Sequence, residues 1–430
     1  MAEVRWKSEP LKCWNQAKAL RLKYYEDYAK AHERGGIRWA GSAWAFSAVP
    51  EGLGTDVWSL TGEPYGASVA WNKDFAAQCH EAAQAKGYAR DLCAYMRNYW
   101  GSILLNKYVF GGEWPKPDFQ WTSHTCCSHA KWYQVASELE GGVPTFSIDG
   151  SIGPYEEFDE NRLNYLVDQM QEGIEWMEKV TGRKYNDELL IQAVHNECNA
   201  TSLWAEICTL NKAVPAPLDE KTMYSLYVFG TLMKHRKECV DFYRVLRDEV
   251  QERVEKQIAA VATERFRVIT DTQPPWAFLS IFRYMESKGT VSVGSLYTFG
   301  LIGIWEVKPD GTWGPRTPPK EGSIKTREQA LRTIADWTAS RPEWQHFYSP
   351  ERKTEMLKRI VKEWKVDGVM LHYNRGCEGL TVGIAENKLG LKKAGIPVMS
   401  FEGNMGDERE FDPERTKTEI DTFLEILGAR

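Results

Sequence analysis

"KVDGVMLHYNRGCEGLTVGIAENKLGLKKAGIPVMSFEG", residues 365–403, decides the fold. An Asp-led apolar run leads into a polar loop carrying Cys377. A helical pattern of about four turns follows, then Gly and a second apolar run that carries Pro397. That is a βαβ unit. "KPDFQWTSHTCCSHAKWYQVASELEGGVPTFSID", residues 116–149, repeats the plan around Cys126 and Cys127. Cys126 to Pro144 is 18 positions and Cys377 to Pro397 is 20, the span a helix with short connections needs to return the chain to a parallel sheet. The two halves therefore read as related α/β domains.

Working outward, residues 1–34 carry helical periodicity and stop at Gly35-Gly36. Residues 35–155 alternate short apolar runs with helical patterns and form the first α/β domain, with Cys93 and Cys126. Residues 156–262 have i, i+3, i+4 apolar spacing and read as a helical bridge, broken at "NKAVPAPLDEKT" where Asp219 is the expected N-cap. Residues 263–430 form the second α/β domain, with Cys377. The expected fold class is α/β: two doubly wound domains with parallel sheets, Rossmann- or flavodoxin-like, joined by the helical segment.

A chain of 430 residues is too long for one compact core. Its net charge of −6 is modest and dispersed, which argues against nucleic acid and membrane surfaces as partners. "MAEVRWKSEPLKCWNQ" has no apolar export core and no window reaches a membrane span, so a cytoplasmic location is expected. Nine cysteines, an odd number, argue for reduced thiols or metal ligands over a disulfide framework.

In both units the cysteine falls between a strand's carboxyl end and a helix's amino end. Open α/β sheets bind ligands there, and a helix N-terminus favours a thiolate. Cys93, in "GYARDLCAYMRNYWGS", has a similar setting. Three thiolates from three such junctions can hold a 4Fe-4S cluster and leave one iron open, although the spacing lacks the tight C-x₂-C runs of ferredoxins. By composition alone, buried structural cysteines are the better reading.

The words "DLCAYMRNYWGS", "CCSHAKWYQ" and "VDGVMLHYNRGCEGL", with "GIPVMSFEGNMGDEREFD" closing the chain, resemble the benzoyl-CoA reductase and 2-hydroxyacyl-CoA dehydratase family. "RWAGSAWAFSAVPEGLG" and "SLTGEPYGA" bring the chain nearer the B subunit of the ATP-dependent reductase. The resemblance implies a 4Fe-4S cluster on Cys93, Cys126 and Cys377, Cys126 being preferred over Cys127 by its distance from "KWY". It implies a homologous sister subunit with a second cluster, an activator that hydrolyses ATP, and a benzoyl-CoA-type substrate reduced to a cyclic diene. The alternatives are a redox-neutral 2-hydroxyacyl-CoA dehydratase subunit or a non-catalytic electron relay. ATP would be used by the activator, in keeping with the absence of Walker and dinucleotide motifs here.

For protonation, Glu51 and Glu63 are the candidate acids, each equally readable as a helix N-terminal carboxylate. His372 and His124 flank the cluster cysteines as hydrogen-bond donors. Arg375 would bind phosphate or carboxylate of a CoA ligand, or pair with the acidic run Asp407–Asp412, itself expected to be a solvated face. Trp44, with Trp39 and Phe46, would wall an aromatic pocket or simply pack the core. Cys13, Cys79, Cys198, Cys208 and Cys239 are expected in the core.

Overall fold

The computed structural model describes residues 2–150, 153–342 and 349–428. Two four-stranded parallel sheets organise it. The first takes strands β2 (Ile37–Gly41), β3 (Val57–Thr61), β4 (Phe119–His124) and β5 (Thr145–Asp149), after a two-residue strand β1 (Lys7–Ser8). The second takes β7 (Phe266–Thr270), β8 (Thr290–Ser295), β11 (Gly368–Asn374) and β12 (Val398–Gly403), with a short β6 (Ile258–Ala259) before it and a hairpin, β9 (Trp305–Val307) and β10 (Trp313–Pro315), within it.

The sheet orders are β3-β2-β4-β5 and β12-β11-β7-β8. Numbered within its own half, each sheet is built around parallel neighbours with a crossover between non-consecutive strands. Among the described residues, all six strand pairs within these two four-stranded sheets are parallel, from Trp39 opposite Phe119 in one half to Met370 opposite Thr270 in the other. Both sheets, the second read from β8, run second, first, third, fourth in strand sequence. The halves thus share one doubly wound topology, and the α/β fold expected from the two cysteine-bearing units holds. In such sheets the strand order reverses beside the first strand, and the carboxyl ends flanking that point open a crevice.

Helices cover the sheets. In the first half they are α1 (Trp14–Ala29), α2 (Gly62–Trp71), α3 (Lys73–Ala85), α4 (Ala94–Leu105) and α5 (Cys127–Leu139). Between the sheets come α6 (Glu160–Thr181), α7 (Asp187–Leu210), α8 (Glu220–Leu232) and α9 (Lys237–Glu255). Asp219 caps α8 by accepting the Thr222 N–H at 2.9 Å, as the sequence led us to expect.

Helix α8 links the two sheets. At its first turn the buried carboxylate of Glu220 accepts from Thr270 Oγ1 at 2.6 Å and from Ser292, residues of β7 and β8. At its last turn the carbonyl of Thr231 accepts from Thr61 Oγ1 of β3 at 3.1 Å. Burying these polar ends costs free energy unless each is satisfied, so the bonds also fix how the helix lies across both halves.

The N-terminal segment holds more than a helix. Its β1 pairs in parallel with β6, Lys7 opposite Ile258. Two residues carry no readable periodicity, and the partner lies some 250 positions away, so no local pattern announces the pair. Among the described residues no helix is long and apolar enough to cross a membrane.

Candidate active site

The carboxyl ends of both sheets face one another, and the three singled-out cysteines meet there. Cys126 is the N-cap of α5 directly after β4, Cys93 is the N-cap of α4, and Cys377 follows β11 by three residues. All three line one small cavity, of about 30 Å³, walled by Trp44, Tyr95, Trp132 and Leu380. Gly62 lets this wall close: a Cβ there would sit 2.5 Å from the Tyr133 hydroxyl and 2.6 Å from the Trp132 ring.

Asn374 explains the "NRGC" word. Its side chain donates to Gln273 Oε1 at 3.1 Å, and its own Oδ1 accepts the N–H groups of Gly376 at 3.1 Å and Met405 at 3.0 Å. One buried amide thereby ties together the loops after β7, β11 and β12. Gln273 in turn donates from Nε2 to Cys377 Sγ at 3.5 Å. Gly376 is required because a Cβ would lie 2.6 Å from the Asn404 side chain.

Electrostatics separate the thiols. Burial pushes the Cys93 thiol up, and the neighbouring sulfurs of Cys377 and Cys126 push it further. At Cys126 burial also acts upward, but His129 overcomes it and brings the thiol below its ordinary value. Burial opposes charge on His129, yet Cys126 and Glu63 together push the imidazole up to about 10. Glu63 Oε1 lies 2.6 Å from His129 Nε2, and its Oε2 accepts the Ala43 N–H at 2.9 Å. His129 Nδ1 faces the Thr125 hydroxyl, and Trp44 meets the imidazole ring edge-on at 5.0 Å.

Of the expected site residues, Glu63 and Trp44 line the cavity with the cysteines. Cys127 is exposed on the first turn of α5. Glu51 lies elsewhere: its carboxylate is 3.3 Å from His235 and 3.5 Å from Arg236, so its proximity in sequence to Trp44 does not carry it to the cysteines. Trp39 and Phe46 belong to a separate apolar cluster under the first sheet. His372 is buried at the side of the site, its Nδ1 2.6 Å from the Gln273 carbonyl and its ring stacked on Phe401. Burial pushes it down to about 4, so it is neutral and donates from Nδ1. His124 ends β4 and is exposed. Arg375 is exposed and pairs with Glu402 at 3.2 Å.

Arg375 also lines an open groove of about 640 Å³, together with Arg90, Asp91, Tyr373, Glu410 and Cys377. Groove and cysteine cavity thus share one residue. The acidic run that closes the chain is not wholly solvated: Asp407 is buried, 3.3 Å from Arg97, 3.5 Å from His80 and 2.6 Å from Arg409. Arg97 itself is fully buried beside Cys93 and demands an anion there. Cys13, Cys79, Cys198, Cys208 and Cys239 are all buried.

His129 and Gln273 escaped the sequence reading. His129 stands three positions after Cys126, a spacing that places both on one face of a helix's first turn, so its signal was present. Gln273 arrives from the other half of the chain and had no local signal. Among the described residues no three or more His, Cys, Asp or Glu side chains close around a single metal ion. The thiols converge on the space between them.

Removing Glu51 tests its exclusion from the site. Glu51→Gln leaves His235 and Arg236 without their buried anion and should cost about 2–4 kcal/mol in denaturant unfolding, while cysteine reactivity at the cavity stays as in the parent. Burial alone would raise this carboxyl, but Arg236 and His235 hold it below its ordinary 4.5. Its stabilising effect is therefore full above that value and fades as pH falls through the lowered one.

Two parallel sheets of one topology, with a cysteine beyond a strand of each and a third on an intervening helix cap, define a class of duplicated α/β proteins with a thiol-lined central site. The chain belongs to the 2-hydroxyglutaryl-CoA dehydratase, D-component family, whose model matches residues 43–427. It is 23% identical over 419 residues to the alpha subunit of (R)-2-hydroxyisocaproyl-CoA dehydratase of Clostridioides difficile, covering 96% of this chain and 95% of that one. It is 22% identical over 361 residues to the B subunit of benzoyl-CoA reductase of Thauera aromatica, covering 81% and 79%. The (R)-phenyllactyl-CoA dehydratase alpha subunit of Clostridium sporogenes is 22% identical over 396 residues, covering 90% and 89%. These relatives are subunits of enzymes named for acyl-CoA thioester substrates.

Proposed function

We propose that Cys93, Cys126 and Cys377 hold a 4Fe-4S cluster with one iron free of cysteine, in a cytoplasmic subunit of an ATP-dependent reductase that acts on benzoyl-CoA or a substituted analogue and yields a cyclic dienoyl-CoA. The convergence of three thiols from both halves of the chain on one aromatic-walled cavity carries the reading. The donor set suits the group: three mutually repelling thiols in a nearly dry site call for a cationic centre to be ionised together, and the Gln273 amide supplies a hydrogen bond to a ligating sulfur.

When bound, the cluster supplies low-potential electrons one at a time. The chain's own residues do the rest. Trp44, Trp132 and Leu380 exclude water from the cavity. Glu63 orients His129 through Nε2 while Thr125 meets Nδ1, and this pair, which lines the cavity, is the proton source of the proposed reaction. The open groove beside Cys377 is lined by Arg90 and Arg375, which pair with Glu410 and Glu402, so the anionic portion of a CoA thioester would be held there by exchanging places with those carboxylates. A sister subunit with its own cluster and an ATP-hydrolysing activator complete the proposed enzyme.

A second reading has an observation in its favour: two of the three relatives described above are dehydratase subunits. In that reading the same cluster serves a redox-neutral removal of water from a 2-hydroxyacyl-CoA, with the electron recycled. Anaerobic purification with iron and sulfide analysis, followed by assays of the complete complex, tests both. Net reductant use with an aromatic acyl-CoA is the expected result. Dehydration without net reductant use would replace the first reading with the second, and protein carrying zinc or no metal would remove both.

A further inference from the structure

On the outer side of α2, away from the cysteine cavity, lies a pocket of about 390 Å³. Trp14, Trp71, Val109 and Phe110 form its apolar walls, and Lys18 and Arg21 stand at its rim. Trp71 is 52% exposed, which core packing does not require. It is nevertheless fixed: its ring stacks on Trp276 at 6.3 Å and 25°, and Trp276 donates its indole N–H to Tyr95 Oη at 2.5 Å. Across the pocket Phe110 stacks on the buried Tyr25 at 3.9 Å. Both aromatic walls are therefore held in place before any ligand arrives, and that lowers the entropy lost on binding.

The two cations have no acidic counterpart. Among the described residues neither Lys18 nor Arg21 forms a salt bridge. The Lys18 ammonium has only the Trp14 ring, 6.0 Å from its centre. Other cations on or beside the same helix are paired, as at Lys12, Lys23, Lys30 and Arg34. A preformed aromatic slot with two uncompensated positive charges at its mouth suits a flat apolar body bearing an anionic group.

We propose that this pocket is a second ligand site, for planar aromatic anions between the size of an aryl carboxylate and that of a nucleoside monophosphate. The ring would lie on Trp71, and the anion would meet Lys18 and Arg21. The inference does not depend on the cluster, and its test needs none. The full chain as purified is titrated calorimetrically with 2-naphthoate, with adenosine monophosphate and with octanoate, an apolar anion without a ring. Saturable binding of 2-naphthoate or the nucleotide is expected, with octanoate weaker by about tenfold. Which of the two aromatic probes binds more tightly distinguishes the carboxylate from the phosphate as the anion recognised. Trp71→Ala and the pair Lys18→Glu/Arg21→Glu should each weaken the better probe about tenfold, while Trp71→Phe keeps most of the affinity. These side chains lie at the surface, so the variants should keep the parent's unfolding midpoint. Absence of saturable binding by either aromatic probe, equal binding of octanoate, or affinities unchanged in the variants would overturn the proposal.

Discussion

Anaerobically purified Cys377→Ala protein is expected to lose most of its iron and sulfide, and with them all activity of the assembled complex, while its far-ultraviolet dichroism stays that of the parent. The thiol is part-buried at the end of β11, so removing one sulfur leaves only a small gap and should cost no more than about 1–2 kcal/mol of stability. Loss of a cluster ligand is of another order, since two remaining cysteines cannot hold a cubane against a reducing, chelating medium. Cys127→Ala gives the contrast: its thiol is exposed on α5 and should be dispensable. Full iron in Cys377→Ala, or iron lost from Cys127→Ala and kept in Cys126→Ala, would sink the assignment of the three ligands.

That assignment grew from the sequence because strand-to-helix junctions leave local marks. An apolar run, a polar break and a helical pattern fix where a cysteine sits relative to a sheet edge, whichever domain contains it. What local pattern cannot supply is which junctions face each other. Gln273 reaches Cys377 from 104 positions away, and Arg97 finds Asp407 across 310. The acidic run around Asp407 looked solvated because its neighbours in sequence are charged, yet its buried partner lies on α4. Glu51 was misplaced by the converse error: it is seven residues from Trp44, but the turn at Pro50–Leu53 sends it toward His235 and Arg236 under the helical segment. Trp39 and Trp44 differ in the same way, one lying within β2 beneath the sheet and the other in the loop that leaves it.

Lys353→Met is expected to be the most destabilising single change near the site that touches no ligand. Lys353 sits fully buried on the helix Pro350–Glu363, its ammonium 2.8 Å from Asp271 Oδ2 and 2.8 Å from the Leu380 carbonyl. Asp271 follows β7 two residues before Gln273, and Leu380 comes three residues after Cys377, so one cation fastens both loops that present Cys377 and its hydrogen-bond donor. Methionine fills the space but strands the Asp271 carboxylate in the interior without a counter-charge, which costs about 3–5 kcal/mol. The loss should appear as a lower urea midpoint of unfolding. Because the penalty comes from the orphaned charge and not from a missing attraction, Lys353→Met/Asp271→Leu should recover more than half of it, a non-additivity that a merely space-filling lysine would not produce. Additive losses in the double variant, or a single variant within about 0.5 kcal/mol of the parent, would show that the two loops are held by their backbone bonds alone. If the recovery is seen, the double variant also separates stability from chemistry: the protein is stable again, but the loops are no longer drawn together by a charge. Retention of the cluster at Cys377 then reports whether Asn374 and Gln273 suffice to hold its loop in place.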